Sequence, residues 1–281
     1  MKARAAAWFL RLPLPVRLTV LHSMRRYAPW EQQFDFSPPR LRSGEVTGPP
    51  DFVGIGVQKA GTSWWYSMIV AHPGVSDRAD LHKERHFLDR FGSAPFSESE
   101  ITKYHGWFPR AAGTLAGEWT PDYLWFPWVP ELMRRAAPDA RLLVVLRDPI
   151  ERFRSGLAHQ LRNGAKLTGA TTAEAVERGF YDRQLAAWAS YYDTGRLLVL
   201  QLERCVAQPK EEMARTYRFL GLDDTFNPTT LGQRVNFTKE SAPLDGDVRN
   251  RLVEVYAQEV VSLAKHYPEI DLSLWPNFGG A

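Results

Sequence analysis

The chain alternates short runs of consecutive apolar residues with longer segments whose apolar positions recur at helical spacing. Three runs are of the first kind: FVGIGVQ (Phe52 to Gln58), RLLVVLRD (Arg141 to Asp148) and RLLVLQLE (Arg196 to Glu203). Each reads as a short buried strand. The segment GTSWWYSMIVAHPGV reads as a helix starting near Thr62 and stopped by His72-Pro73-Gly74. A second helix starts at Pro209 and stops at Gly221. The segment DVRNRLVEVYAQEVVSLAKHYP reads as a long amphipathic helix with Leu252, Val255, Tyr256 and Val260 on one face. Strands separated by helices imply a parallel sheet covered on both faces, an α/β fold. The Pro- and Gly-rich stretch FSPPRLRSGEVTGPPDF leads into this core. The expected organisation is a basic arm and lead-in over residues 1–50 and one domain over 51–281.

Composition changes this picture little. A length of 281 residues suits one α/β domain with a substantial core. The 10 tryptophans are the unusual count, read as core anchors or as aromatic walls of a cleft. Cys205 is the single cysteine, so no intramolecular disulfide forms, which points to a reducing, cytoplasmic setting. From Met1 to Glu45 eight basic and three acidic side chains give +5, against +3 for the whole chain. This arm is too short and broken for a membrane span, and it lacks the apolar core of a signal peptide. It reads as a segment packed on the domain, with peripheral contact to an acidic membrane surface or partner as the alternative. The rest of the chain has no basic stripe, which argues against nucleic acid.

Chemistry begins at GVQKAGTS, residues 56–63. Gly56 and Gly61 have the spacing of a Walker A loop, but Thr62 follows Gly61 directly and the lysine, Lys59, lies inside the loop. Between a strand and a helix N-terminus, backbone N–H groups and the helix dipole favour an anion. Gly61 lets the backbone approach it. Lys59 adds a point charge, and Thr62 and Ser63 add hydroxyl donors. No strand ends in a clear Walker B acid, and Asp148, followed by Pro149 among basic neighbours, makes a poor metal ligand. A second group lies in LRDPIERFRSG, with Arg147 at a strand's carboxyl end and Ser155 early in the next helix. Ligands of open α/β sheets sit outside the carboxyl ends of the strands, so Arg147 and Ser155 can converge on a second phosphate. Two anion sites on adjacent strand ends suggest a donor with separated phosphate groups.

Together VGIGVQKAGTSWW and RLLVVLRDPIERFRSGL resemble the sulfotransferases that use 3′-phosphoadenosine 5′-phosphosulfate (PAPS). KERHFLD (Lys83 to Asp89), GEWTPDYL (Gly117 to Leu124) and NFTKES (Asn236 to Ser241) are similar to further segments of the heparan-sulfate-type branch. The resemblance runs from about Asp51 to Leu244. It implies a P-loop-like open parallel sheet, PAPS as cosubstrate, 3′-phosphoadenosine 5′-phosphate as product, and no requirement for a metal. It implies that Lys59, Ala60, Gly61, Thr62, Ser63 and Trp64 hold the 5′-phosphosulfate, and that Arg147 and Ser155 hold the 3′-phosphate. Thr238 and Lys239 match the segment that closes over the 3′-phosphate, although Glu240 stands where the family has glycine. Lys59 would neutralise the leaving phosphate oxygen.

An attacking hydroxyl must lose its proton, and the resemblance makes Glu84 the base. The competing reading of Glu84 is a solvated carboxylate paired with Lys83 or Arg85. His86 is a hydrogen-bonding partner, a surface residue or itself the base; His82 and His159 are further alternatives. Where the branch has a lysine facing the reaction centre, this chain has Trp119. Either Lys59 carries more of the charge stabilisation, or Lys83 or Arg85 supplies it, or Trp119 stacks on the acceptor. Carbohydrate, lipid and natural-product hydroxyls are open as acceptors, and an amine as well. Two other classes compete: a non-catalytic nucleotide-binding protein on this fold, which has no need of Glu84, and a P-loop kinase, which needs Mg²⁺ and ATP.

Overall fold

The computed structural model describes residues 12–23, 37–78, 80–164, 166–232 and 241–279. Six strands occur among them: β1 (Glu45–Val46), β2 (Phe52–Gly56), β3 (Arg110–Ala111), β4 (Gly117–Trp119), β5 (Arg141–Leu146) and β6 (Leu197–Gln201). β1 and β3 form a small antiparallel ribbon, and the others form a parallel sheet in the order β4-β2-β5-β6. The three apolar runs are β2, β5 and β6, each trimmed at its carboxyl end because the chain there turns into loops and helices. β4 went unread: three residues, one of them a glutamate, carry no periodic signal.

The helices are α1 (Leu14–Ser23), α2 (Thr62–Val70), α3 (Glu98–His105), α4 (Val129–Ala136), α5 (Pro149–Arg162), α6 (Gly169–Glu177), α7 (Tyr181–Ala189), α8 (Leu202–Ala207), α9 (Pro209–Leu220) and α10 (Gly246–His266). The chain passes from β2 outward to β4, then back across β2 to β5 and on to β6. Right-handed crossovers in opposite directions place their helices on opposite faces. On one face α2 meets α9, where Trp65 Nε1 donates to Thr216 Oγ1 (3.1 Å) and the Tyr217 hydroxyl to the Met68 carbonyl (2.7 Å). On the other α10 packs on α7, and its Tyr256 hydroxyl donates to the Val176 carbonyl of α6 (2.7 Å). Along α10 the buried stripe is Leu252, Tyr256, Val260 and Leu263. Val255, expected on that face, is 37% exposed, because at 100° per residue it falls at the stripe's edge. Among the described residues no helix is long and apolar enough to cross a membrane.

Trp119 couples two strands. Its buried indole lies across Gly54 of β2 and donates from Nε1 to the Gly56 carbonyl (3.1 Å). A Cβ at Gly54 would overlap the ring, so the glycine is a packing requirement. Gly54→Ala is expected to destabilise the fold by about 3 kcal/mol through overpacking, and adding Trp119→Leu should recover part of it. Thermal and urea unfolding of the single and double variants measure both numbers.

Candidate active site

At the carboxyl end of β2 the chain closes a tight loop. Val57 N donates to the Val145 carbonyl (3.1 Å) and Ala60 N to the Val57 carbonyl (3.3 Å). Lys59 (φ 70°) and Gly61 (φ 75°) both adopt the left-handed region. A Cβ on Gly61 would lie 2.9 Å from Leu202 Cδ1, so α8 approaches the loop closely. Gly61 caps α2, whose first turn has no side-chain cap and no acidic residue. Its N–H groups are therefore an anion site without an internal substitute. Ala60 and Thr62 are buried and Ser63 is half-buried. The Trp64 ring is buried edge-on against Trp65 (centroids 5.2 Å apart). Burial lowers the Lys59 pKa, Arg162 and Arg147 lower it further, and Glu84 opposes them.

Arg147 reaches this loop directly, donating from Nη1 to the Lys59 carbonyl (3.0 Å). The Tyr181 hydroxyl fixes the Arg147 carbonyl (2.9 Å). Asp148 caps α5, accepting from Ile150 N (2.9 Å) and Glu151 N (3.2 Å) at one oxygen. Its other oxygen accepts from Asn277 N (3.0 Å) and Nδ2 (2.9 Å). A carboxylate so occupied is a structural cap. Ser155 is buried in the second turn of α5. Next to it Arg154 Nε donates to the Ala242 carbonyl (2.9 Å), returning the chain to α5 after residues 233–240. Thr238 and Lys239 lie outside the described residues.

Glu84 faces the loop from the segment before the short 3-10 turn Leu88–Gly92, and its carboxylate is held from both sides. Lys83 Nζ lies 2.8 Å from one oxygen, and His86 Nε2 lies 3.2 Å from the other. The His86 Nδ1 meets Asp89 Oδ2 at 2.6 Å. Burial works against the Glu84 carboxylate, but His86 and Lys83 outweigh it and hold its pKa at about 2. Burial likewise works against the imidazolium, yet Asp89 and Glu84, with Asp122 behind, push the His86 pKa up to about 10. Lys83 also donates to Thr62 Oγ1 (3.1 Å), joining the Glu84 segment to the first turn of α2.

A buried carboxylate fastens this segment. Glu118 of β4 accepts from Arg85 N (3.1 Å), the Tyr104 hydroxyl (2.6 Å), the Thr120 hydroxyl (2.6 Å) and the Tyr123 hydroxyl (3.2 Å). Thr120 Oγ1 accepts in turn from Arg85 N and His86 N. The backbone between Glu84 and His86 is thereby fixed to β4 and the residue after it.

Several sequence expectations change. Trp119 is buried beneath the site and cannot stack on an acceptor. Arg85 does not pair with Glu84; its guanidinium lies over the Trp107 and Phe108 rings and donates to the His82 carbonyl. His82 is exposed. His159 is on α5, where partial burial and then Lys59 and Arg162 lower its pKa. Asp89, Asp122 and Glu118 were missed as partners. The i,i+3 spacing of His86 and Asp89 was a signal for the first; the other two are placed by tertiary contacts.

The arrangement belongs to the α/β proteins that hold a phosphate-bearing ligand at the carboxyl edge of a parallel sheet. Comparison with known proteins narrows this class. The sulfotransferase domain family matches residues 49–242, and the chain belongs to it. Heparan sulfate glucosamine 3-O-sulfotransferase 6 of Mus musculus is 31% identical over 187 residues, covering 62% of this chain and 52% of that protein. Heparan sulfate glucosamine 3-O-sulfotransferase 3B1 of Mus musculus is 30% identical over 188 residues, covering 62% and 46% respectively. The chain thus spans about half the length of these relatives. A crystal structure of a sulfotransferase from Alicyclobacillus acidocaldarius matches the fold with a TM-score of 0.61 at 21% identity, covering 80% of this chain and 98% of that one.

Proposed function

We propose that the protein transfers a sulfuryl group from PAPS to a hydroxyl or amine of a glycan or other small-molecule acceptor. The observation that carries this reading is the junction of an anion-binding loop with a carboxylate: Lys83 joins Thr62 of the loop to Glu84. PAPS supplies the activated sulfuryl group. The uncapped first turn of α2, with Lys59, Thr62 and Ser63, suits its 5′-phosphosulfate. Arg147 and Ser155 are assigned to the 3′-phosphate, with Thr238 and Lys239 closing over it. The acceptor oxygen or nitrogen forms a bond to sulfur as the bond from sulfur to the bridging phosphate oxygen breaks. Glu84 takes the acceptor proton, and Lys59 neutralises the electron pair left on the phosphate oxygen. The relatives named for heparan sulfate favour a glycan acceptor. The single buried Cys205 favours a reducing compartment.

The test incubates purified protein with PAPS and a mixture of oligosaccharides and cell-extract small molecules. Mass spectrometry then looks for products that gain a sulfuryl group, with and without EDTA. Product is expected in both conditions, because the loop draws its cations from the protein. Tight binding of 3′-phosphoadenosine 5′-phosphate without any product would favour a non-catalytic nucleotide-binding protein. Phosphoryl transfer from ATP with a strict need for Mg²⁺ would favour a kinase.

A further inference from the structure

Lys83 has a place that neither the donor loop nor the base accounts for. Its side chain is only 15% exposed. Its ammonium bridges Thr62 Oγ1 (3.1 Å) and Glu84 Oε1 (2.8 Å). Its carbonyl accepts from Trp119 N (2.9 Å), so β4 sets its position. The Thr62 oxygen accepts from this ammonium, which leaves the threonine's own proton to donate elsewhere.

We propose that Lys83 is a positioning residue that couples donor binding to release of the base: its ammonium holds Glu84 before donor binds and moves toward the donor when the 5′-phosphosulfate occupies the loop beside Thr62. The proposal rests on the sulfotransferase reading and adds an order of events to it. The groups facing Glu84 are Lys83 and His86 by direct contact and Lys59 from the donor loop, with Asp89 and Asp122 behind His86. A carboxylate held by two cations is a weak base, consistent with its low pKa. A bound polyanion beside Thr62 offers the ammonium a stronger partner at the cost of a short movement. Glu84 then keeps His86 as its direct partner and becomes more basic while donor is present, so an acceptor is deprotonated only when there is a sulfuryl group to receive it.

The experiment reads Glu84 itself. Carboxyl-labelled protein is titrated by carbon NMR with and without 3′-phosphoadenosine 5′-phosphate, in the wild type, Lys83→Met and Lys83→Arg, using Glu84→Gln to assign the signal. In the wild type, nucleotide should raise the Glu84 titration midpoint. In Lys83→Met the midpoint should start higher, since a neighbouring cation is gone, and nucleotide should add little. Lys83→Arg should restore the nucleotide response. In turnover assays Lys83→Met should lose roughly 10–10²-fold because the ammonium's contact with bound donor is gone, with the acid limb of kcat/KM moved to higher pH. Thermal unfolding identifies a variant that fails to fold, in which case Lys83→Arg against wild type carries the comparison. A Glu84 midpoint that responds to nucleotide identically in wild type and Lys83→Met overturns the proposal, as does a wild type whose midpoint nucleotide leaves unmoved. Failure of the underlying reading looks different: nucleotide does not bind the wild type, and no variant alters that.

Discussion

Glu84→Gln lowers turnover by roughly 10²–10⁴-fold and leaves affinity for 3′-phosphoadenosine 5′-phosphate near that of the wild type. The amide matches the carboxylate in size and still offers an oxygen to Lys83 or His86, but it cannot take up a proton. The Glu84 side chain is 39% exposed, so the change empties no core position. The loss should fall on kcat, because the missing interaction develops only as the acceptor proton leaves. His86→Ala should cost less, since the proton acceptor, Glu84 itself, is kept. Normal turnover in Glu84→Gln beside a dead His86→Ala or His159→Ala would move the base to a histidine.

The same pair sets a pH window for stability. The His86 pKa, raised from 6.5 to about 10, contributes stability that is fully present below 6.5 and lost as pH rises through about 10. The Glu84 pKa, lowered from 4.5 to about 2, contributes stability present above 4.5 and lost as pH falls through about 2. Between those limits both groups stay charged, so neither erodes the fold across the neutral range.

What could be read in advance follows from the range of the interactions. The donor loop was legible because Lys59, Gly61 and Thr62 are neighbours in sequence and their chemistry is local. β2, β5 and β6 were legible because strands buried on both faces leave continuous apolar runs. β4 was not, because its middle residue is a buried glutamate whose cost of burial is met by Tyr104, Thr120 and Tyr123. Arg147 was read as a phosphate ligand, whereas the fold also makes it a brace on the carbonyl of Lys59, 88 residues away. Choosing between Lys83 and Arg85 needed tertiary structure too. Cations two positions apart in sequence point to different places, one to Thr62 and one over two aromatic rings.

Lys59→Ala is expected to reduce turnover by roughly 10²–10³-fold, the effect of removing one preorganised donor from a developing negative charge. The substitution isolates the ammonium, because alanine and lysine carry the same steric cost at a φ of 70°. Lys59→Gly supplies the stability control: it removes that cost, so its melting temperature should be no lower than that of Lys59→Ala, while its activity is equally lost. Lys59→Arg should recover only part of the rate, since a planar guanidinium cannot occupy the position of a compact ammonium inside a tight loop. The depressed pKa of Lys59 gives a second readout. In the free enzyme the ammonium loses its proton before the ordinary lysine range, so kcat/KM should fall on the alkaline side below pH 10.5. Bound polyanionic donor restores the proton's favour, so the limb in kcat should lie at higher pH than the limb in kcat/KM. Full activity in Lys59→Ala, or coincident alkaline limbs in the two profiles, would take the leaving-group role away from this lysine.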